Sequence, residues 1–238
     1  MSHDKNPGLA WVTGASSGIG AAIAKVLARE GWTICISARS QDKLDALAAD
    51  ASKGHKGALH AYACDVTDKD QVRQTVEAIK TAHGAPDLVI ANAGTYTPDT
   101  LDDFNSENFD LHMKLNVSGI AYALEAVLPD MRERNSGHIV MVASVAGYRG
   151  LPRALSYSTS KGAVINFAES LAIECVGTNI KVQVVNPGFI KTPLTDKNDF
   201  DMPMLMDVDV AAEKFYKGLQ SRRFEITFPW AFAMMLKL

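Results

Sequence analysis

The octapeptide Thr13-Gly14-Ala15-Ser16-Ser17-Gly18-Ile19-Gly20 constrains this chain more than any other stretch. The apolar run Leu9–Val12 precedes it, and an alanine-rich pattern with helical period follows it from Ile19 to Arg29. The glycines therefore stand where a strand turns into a helix. In that context a glycine-rich turn is suited to a pyrophosphate. Gly14 permits a tight turn with positive φ. Gly18 removes a side chain where phosphate oxygens approach the backbone, and Gly20 lets helix and strand pack closely. The first helical turn has N–H groups without intrahelical partners, and the helix dipole favours an anion there. Ser16 and Ser17 add hydroxyl donors. Gly14, Ser16, Ser17, Gly18, Ile19 and Gly20 are thus the first expected ligand-binding residues.

The rest of the chain alternates in the same way. Short apolar runs, as expected of strands covered on both faces, recur at Thr33–Ala38, Ala58–Ala63, Leu88–Ala91, Gly137–Ser144, Lys181–Asn186 and Phe224–Phe228. Helical patterns separate them. One covers Asp42–Ala51. A second carries Val72, Val76 and Ile79, with Asp68 as its N-cap before Gln71. A third covers Asn105–Leu128, with Phe109, Met113, Val117, Ala121 and Leu124 along its inner face. Two more run from Tyr157 through Leu171 and over Val208–Leu219. This order predicts one α/β domain over residues 1–238: a Rossmann-type, doubly wound parallel sheet of about seven strands, with helices on both faces.

Four further motifs sit at the ends of these strands. Asn92-Ala93-Gly94 follows the fourth, and Ser144 closes the fifth. Tyr157 and Lys161, four residues apart, point to one side of the next helix. Pro187-Gly188-Phe189-Ile190-Lys191-Thr192 ends the sixth strand. With the spacing T-G-x-x-x-G-x-G, these motifs resemble the short-chain dehydrogenase/reductase family, in the family's order from Leu9 to Phe228. The resemblance implies hydride transfer between a nicotinamide cofactor and a carbonyl or alcohol. Tyr157 would be the general acid/base, made more acidic by Lys161, which also reaches the nicotinamide ribose. Ser144 would bond the substrate oxygen, and Asn116 would complete a proton route through a water and Lys161. Asp65 and Val66 would hold the adenine. Asn92, Ala93 and Gly94 would line the cofactor, as would Pro187 and Gly188, and Thr192 would hold the carboxamide. Pro193–Asp207, leading into the helix that ends near residue 220, would be the substrate segment.

The second strand ends in Ala38-Arg39-Ser40, where a cofactor lacking the 2′-phosphate usually meets an acid. Arg39 can instead pair with a 2′-phosphate and stack on adenine, which favours NADP(H) over NAD(H). Ala15 stands where some family members carry a second basic residue, so this preference rests on Arg39 alone.

A formal net charge of −3 implies no general attraction to nucleic acid or acidic membranes. Cys35, Cys64 and Cys175 read as small apolar residues of a reducing compartment, not as disulfides or metal ligands. Met1–Asn6 carries no apolar signal region, and no run is long enough to span a membrane, so a cytoplasmic location is expected. Tyr148, Leu151, Phe189, Ile190, Leu194 and the methionines at 202–206 suggest an apolar lining and a lipophilic small-molecule substrate. Pro229–Leu238 is almost wholly apolar. It would cover the substrate pocket, join a subunit interface or touch a lipid surface. The family resemblance favours the interface of a homodimer or homotetramer. The function expected is an NADP(H)-dependent carbonyl/alcohol oxidoreductase. The alternatives are an NAD-dependent alcohol or hydroxysteroid-type dehydrogenase, and a dinucleotide-binding sensor without turnover.

Overall fold

The computed structural model describes residues 7–51, 54, 56–198 and 200–238, so the expectation for Met1–Asn6 lies outside the described residues. Its strands are β1 (Leu9–Thr13), β2 (Thr33–Ala38), β3 (Ala58–Ala63), β4 (Leu88–Ala91), β5 (Gly137–Val142), β6 (Ile180–Pro187) and β7 (Glu225–Phe228). All pair in parallel, in the order β3-β2-β1-β4-β5-β6-β7. The order reverses between β1 and β4. In an open α/β sheet a ligand crevice lies outside the carboxyl ends of such a pair.

Strand alternation divides the core into two layers. Ala10 and Val12 of β1, Ile34 and Ile36 of β2, and Val140 and Val142 of β5 enter the layer shared with α1 (Gly18–Arg29), α2 (Gln41–Ala51) and α7 (Val208–Leu219). Leu9, Trp11, Val89, Ile139 and Met141 enter the opposite layer with α3 (Lys69–His83), α5 (Gly119–Glu133) and α6 (Leu155–Glu174). The apolar strand runs are therefore continuous because both faces are covered. Polar atoms in this core find partners: the buried Trp11 Nε1 donates to Ser37 Oγ at 2.9 Å. Asp68 caps α3, accepting from the backbone N–H groups of Asp70 and Gln71. The three cysteines are free thiols, and Cys35 and Cys64 are buried.

Two expectations need correction, and one segment gains a structure that the sequence left open. The helix expected over Asn105–Leu128 is broken: α4 (Ser106–Met113) passes through a π turn at Lys114–Ser118 into α5, which runs through Pro129 to Glu133. The wider turn rotates the helix face, so the buried positions are His112, Asn116, Ile120, Ala123, Leu124 and Val127. Phe109, Met113, Val117 and Ala121 are only half-buried. Past the proline, Met131 is fully buried against Gly137. Next, β5 ends at Val142, two residues before Ser144, which instead caps a 3-10 turn at Val145–Gly147. Finally, the apolar segment from Pro229 forms a helix, α8 (Trp230–Lys237). Phe232 and Ala233 are buried in it, while Trp230, Met235 and Leu238 are exposed.

Candidate active site

The glycine turn closes on the carboxyl end of β4. Gly14 has φ +67°, and a Cβ there would come within 2.6 Å of Ala93 Cα. A Cβ on Gly20 would meet the Gly14 carbonyl oxygen at 2.4 Å and Asn92 Nδ2 at 2.5 Å. Only glycine allows this approach. Asn92 then ties the two loops: its Nδ2 donates to the carbonyls of Thr13 and Gly14 at 2.9 and 3.2 Å. Thr13 Oγ1 accepts from the backbone N–H groups of Asn92 and Ala93. Ser17 is the N-cap of α1 in extended conformation, and its hydroxyl makes no cap bond. Ser16, Ser17 and Gly18 of this turn line the cleft described next. Gly18, with φ +57°, faces Thr192 across the opening, where a Cβ would lie 3.3 Å from Thr192 Cγ2.

A cleft of about 560 Å³ runs along these carboxyl ends. Gly14, Ser16, Ser17, Gly18, Ile19, Arg39, Asp65 and Val66 line one part; Asn92, Ala93, Gly94, Ser144, Tyr157, Lys161, Pro187, Gly188 and Thr192 line the rest. Asp65 is held in place by the Thr67 backbone N–H and hydroxyl, at 2.9 and 2.8 Å. Two expected residues do not line the cleft. Gly20 acts by close packing behind the turn. Asn116 is fully buried behind Gly94. Its Oδ1 accepts from the Thr95 backbone N–H at 2.7 Å, and its Nδ2 donates to the Thr95 carbonyl and Ser160 Oγ at 3.1 and 2.9 Å. These bonds across the helix accompany the π turn at Asn116. A Cβ on Gly94 would lie 3.2 Å from Asn116 Oδ1 and 3.5 Å from Lys161 Nζ, so the glycine separates the two groups closely.

Ser144, Tyr157 and Lys161 meet at one end of the cleft. Lys161 Nζ donates to the Val142 carbonyl at 2.9 Å and lies 5.7 Å from the Tyr157 ring centroid. Tyr96 and His112 meet the Tyr157 ring edge-on, at centroid distances of 5.1 and 6.3 Å. Burial pushes the phenol up to about 12, against the downward pull of a hydrogen bond with Ser144. Burial also brings the Lys161 ammonium down to about 8. Loss of hydration opposes the charged form of both groups, so the phenol lies above its ordinary value despite the Lys161 cation expected to acidify it. At neutral pH the phenol holds its proton and is a donor.

The expected apolar lining is also redistributed. Ile190 and Leu194 line the cleft. Tyr148 and Phe189 turn away to pack with Phe232 under α8. There Tyr148 donates to Glu225, which also accepts from Asn186 Nδ2 at 2.7 Å and from Lys237. Sequence reasoning missed Lys43 and Lys197 on the cleft wall. Lys43 was detectable, one helical turn beyond Arg39 at the start of α2. Lys197 ends a short 3-10 turn (Thr195–Lys197) and donates to the Tyr96 carbonyl at 2.6 Å.

Reversed sheet order, glycine turn and shared cleft define a Rossmann-type nucleotide-binding fold. The short chain dehydrogenase profile matches residues 9–202. An uncharacterized oxidoreductase of Myxococcus xanthus is 38% identical over 229 residues, 96% of this chain and 90% of its own length. The 3-oxoacyl-[acyl-carrier-protein] reductase FabG of Thermotoga maritima is 37% identical over 186 residues, 78% of this chain and 75% of its own. A short-chain dehydrogenase from Sphingobium yanoikuyae, solved in complex with NADPH, is similar at a TM-score of 0.85 and 28% identity, covering 94% of this chain and 88% of its own. The chain belongs to the short-chain dehydrogenase/reductase family of oxidoreductases. Among the described residues no helix is long and apolar enough to cross a membrane.

Proposed function

We propose that this oxidoreductase uses NADP(H) to interconvert a carbonyl and a secondary alcohol, with Tyr157 as general acid/base. One observation carries the reading: Ser144, Tyr157 and Lys161 share a single cleft with the glycine turn and Arg39. When bound, the nicotinamide supplies or takes up the hydride. The turn at Gly14–Ile19 would hold the pyrophosphate, Asp65 and Val66 the adenine, and Asn92, Ala93, Gly94, Pro187, Gly188 and Thr192 the remainder. Ser144 donates to the substrate oxygen and Tyr157 delivers the proton to it. Lys161 keeps a cation beside the phenol. Asn116 braces the Thr95 backbone beside Lys161. The reductase name of the Thermotoga relative is in keeping with the reductive direction.

NADP(H) preference is supported by Arg39 and Lys43 in the cleft lining, with Arg39-Ser40 and not an acid directly after β2. The NADPH-bound Sphingobium neighbour is consistent with it. Ile190 and Leu194 favour a lipophilic small-molecule substrate. The exposed Trp230 and Met235 of α8, with Leu238 after it, favour a homodimer or homotetramer that covers them.

The test is NADPH absorbance with a panel of ketones and aldehydes, alongside NADH. Turnover should fall about 10²–10⁴-fold in Tyr157→Phe with NADPH affinity retained. Tight NADPH binding without turnover of any carbonyl would favour a dinucleotide sensor. A preference for NADH would overturn the cofactor assignment.

A further inference from the structure

The helix that carries Tyr157 begins without a cap of its own. The N-cap of α6 is Ala154, which has no side-chain acceptor. A helix start leaves N–H donors that need partners. The partner here comes from a distant loop. Asp99 Oδ2 accepts from the Ser156 backbone N–H at 2.9 Å and from the Ser156 hydroxyl. The Asp99 backbone N–H donates to the Arg153 carbonyl at 3.3 Å, and Asp99 pairs with Ala154 in an isolated β-bridge.

Asp99 is only 1% exposed. Its Oδ2 also accepts from Asn108 Nδ2 at 3.4 Å, while Oδ1 has no hydrogen-bond partner. A buried carboxylate with a bare oxygen is costly, so its retention calls for a specific use. The positive end of α6 offsets part of that cost. The residue it grips, Ser156, directly precedes Tyr157.

The same loop holds the other side of the phenol. Tyr96, three residues before Asp99, packs edge-on against the Tyr157 ring. The Thr95 backbone is clamped by Asn116, and the Thr97 backbone N–H donates to His112 Nε2 at 3.2 Å. The loop after β4 is thus fixed to α4 and the π turn at one side, and to the first turn of α6 at the other.

We propose that Asp99 is the positioning residue that sets the start of α6 and so the location of the Tyr157 phenol, an inference that rests on the Tyr157 chemistry proposed above. It touches neither the cleft nor the reacting atoms. Its effect passes through the Ser156 backbone.

The experiment compares Asp99→Ala and Asp99→Asn in the full chain. Peptide-level hydrogen exchange should speed up about tenfold in Asp99→Ala over residues 155–161, with β5 peptides unchanged. With NADPH and a panel aldehyde that the wild type reduces, kcat should drop about 100-fold in Asp99→Ala, since a small misplacement of a reacting group has that effect. KM and NADPH affinity should hold. Asp99→Asn keeps an acceptor oxygen and should recover most of both effects. Unchanged exchange at 155–161 in Asp99→Ala overturns the proposal, as does an Asn variant no better than Ala. An equal loss of kcat, NADPH affinity and thermal stability in both variants overturns it too, as a general structural role. If the wild type reduces no carbonyl, the proposed function fails, and the exchange comparison alone decides the role of Asp99.

Discussion

The Lys161 ammonium lies 5.7 Å from the centroid of the Tyr157 ring, and burial moves the two groups in opposite directions. The phenol rises to about 12 and the ammonium falls to about 8. As pH rises, Lys161 therefore loses its charge long before Tyr157 loses its proton. If Tyr157 acts as proposed, carbonyl reduction uses the protonated phenol beside a cation and should be flat at neutral pH. It should then fall through about 8, approaching tenfold per further unit. The check is kcat/KM for NADPH-dependent reduction against pH. A profile that breaks only near the ordinary lysine value of about 10.4 would reject the assignment.

Stability carries the same signature with a definite sign. Folding lowers the Lys161 pKa from 10.5 to about 8, so between those values the unfolded chain binds more protons. Stability from this group therefore increases with pH across that window, and the penalty is fully present below it. Lys161→Met removes the buried cation. The variant should be more stable at neutral pH by up to about 3 kcal/mol, at about 1.36 kcal/mol per pKa unit, while losing turnover. Above the ordinary tyrosine value the raised Tyr157 phenol acts in the opposite sense, so wild-type stability should turn over near pH 10. Urea midpoints measured at intervals of pH would expose both slopes. A wild type and variant with parallel profiles would remove the basis for this account.

Cofactor choice should depend on two side chains, not one. Arg39 and Lys43 share the wall beside Ser40 and Asp65. A charge-assisted bond contributes about 1.5–3 kcal/mol, so Arg39→Ala should weaken NADPH about 10–100-fold and leave NADH nearly unchanged. Lys43→Ala should act in the same direction with a smaller effect, because a lysine meets phosphate as a point charge without a planar fork. Fluorescence titration with both nucleotides measures this. An equal loss for NADPH and NADH in Arg39→Ala would mean that the guanidinium stacks on adenine and does not read the phosphate.

The strand ends were legible because each carries a local cause. Buried parallel strands read as short apolar runs, and β2, β3 and β4 have the bounds expected from them. The cleft lining was legible for a related reason, since its residues follow strand ends in chain order. What escaped was set by tertiary contact. The π turn at Lys114–Ser118 forms where Asn116 bonds Thr95 and Ser160, which lie 21 and 44 residues away. No helical periodicity contains that information, so the inner face was drawn one position off. Beyond Pro129, α5 continues with Met131 buried and Asp130 paired to Lys80 of α3, contacts that no local signal shows. The net shift of the Tyr157 phenol was not legible, because sequence gives the neighbouring lysine but not the depth of burial. Asp99 carries no local signal, because its partner Ser156 lies 57 positions on.

The turn that carries Ser144 rests directly on the backbone of the helix that carries Lys161. A Cβ on Gly147 would fall 2.7 Å from the Lys161 carbonyl carbon and oxygen, and 2.7 Å from Ile165 Cδ1. The two backbone atoms cannot yield as a flexible side chain would, so Gly147→Ala must lift the turn away from α6. Because the turn begins at Ser144 and the helix carries Tyr157, this displacement opens the distance across which substrate oxygen is held. Overpacking of this kind costs about 1–3 kcal/mol. Turnover should suffer more than stability, by about 100-fold, because the reacting groups separate. Gly150 is the control: a Cβ there meets nothing within 4 Å, and its substitution by alanine should change stability by less than about 0.5 kcal/mol. Chemical denaturation paired with NADPH-coupled assays separates the two effects. Equal activity in Gly147→Ala and Gly150→Ala would mean that Ser144 is not held by its turn against α6.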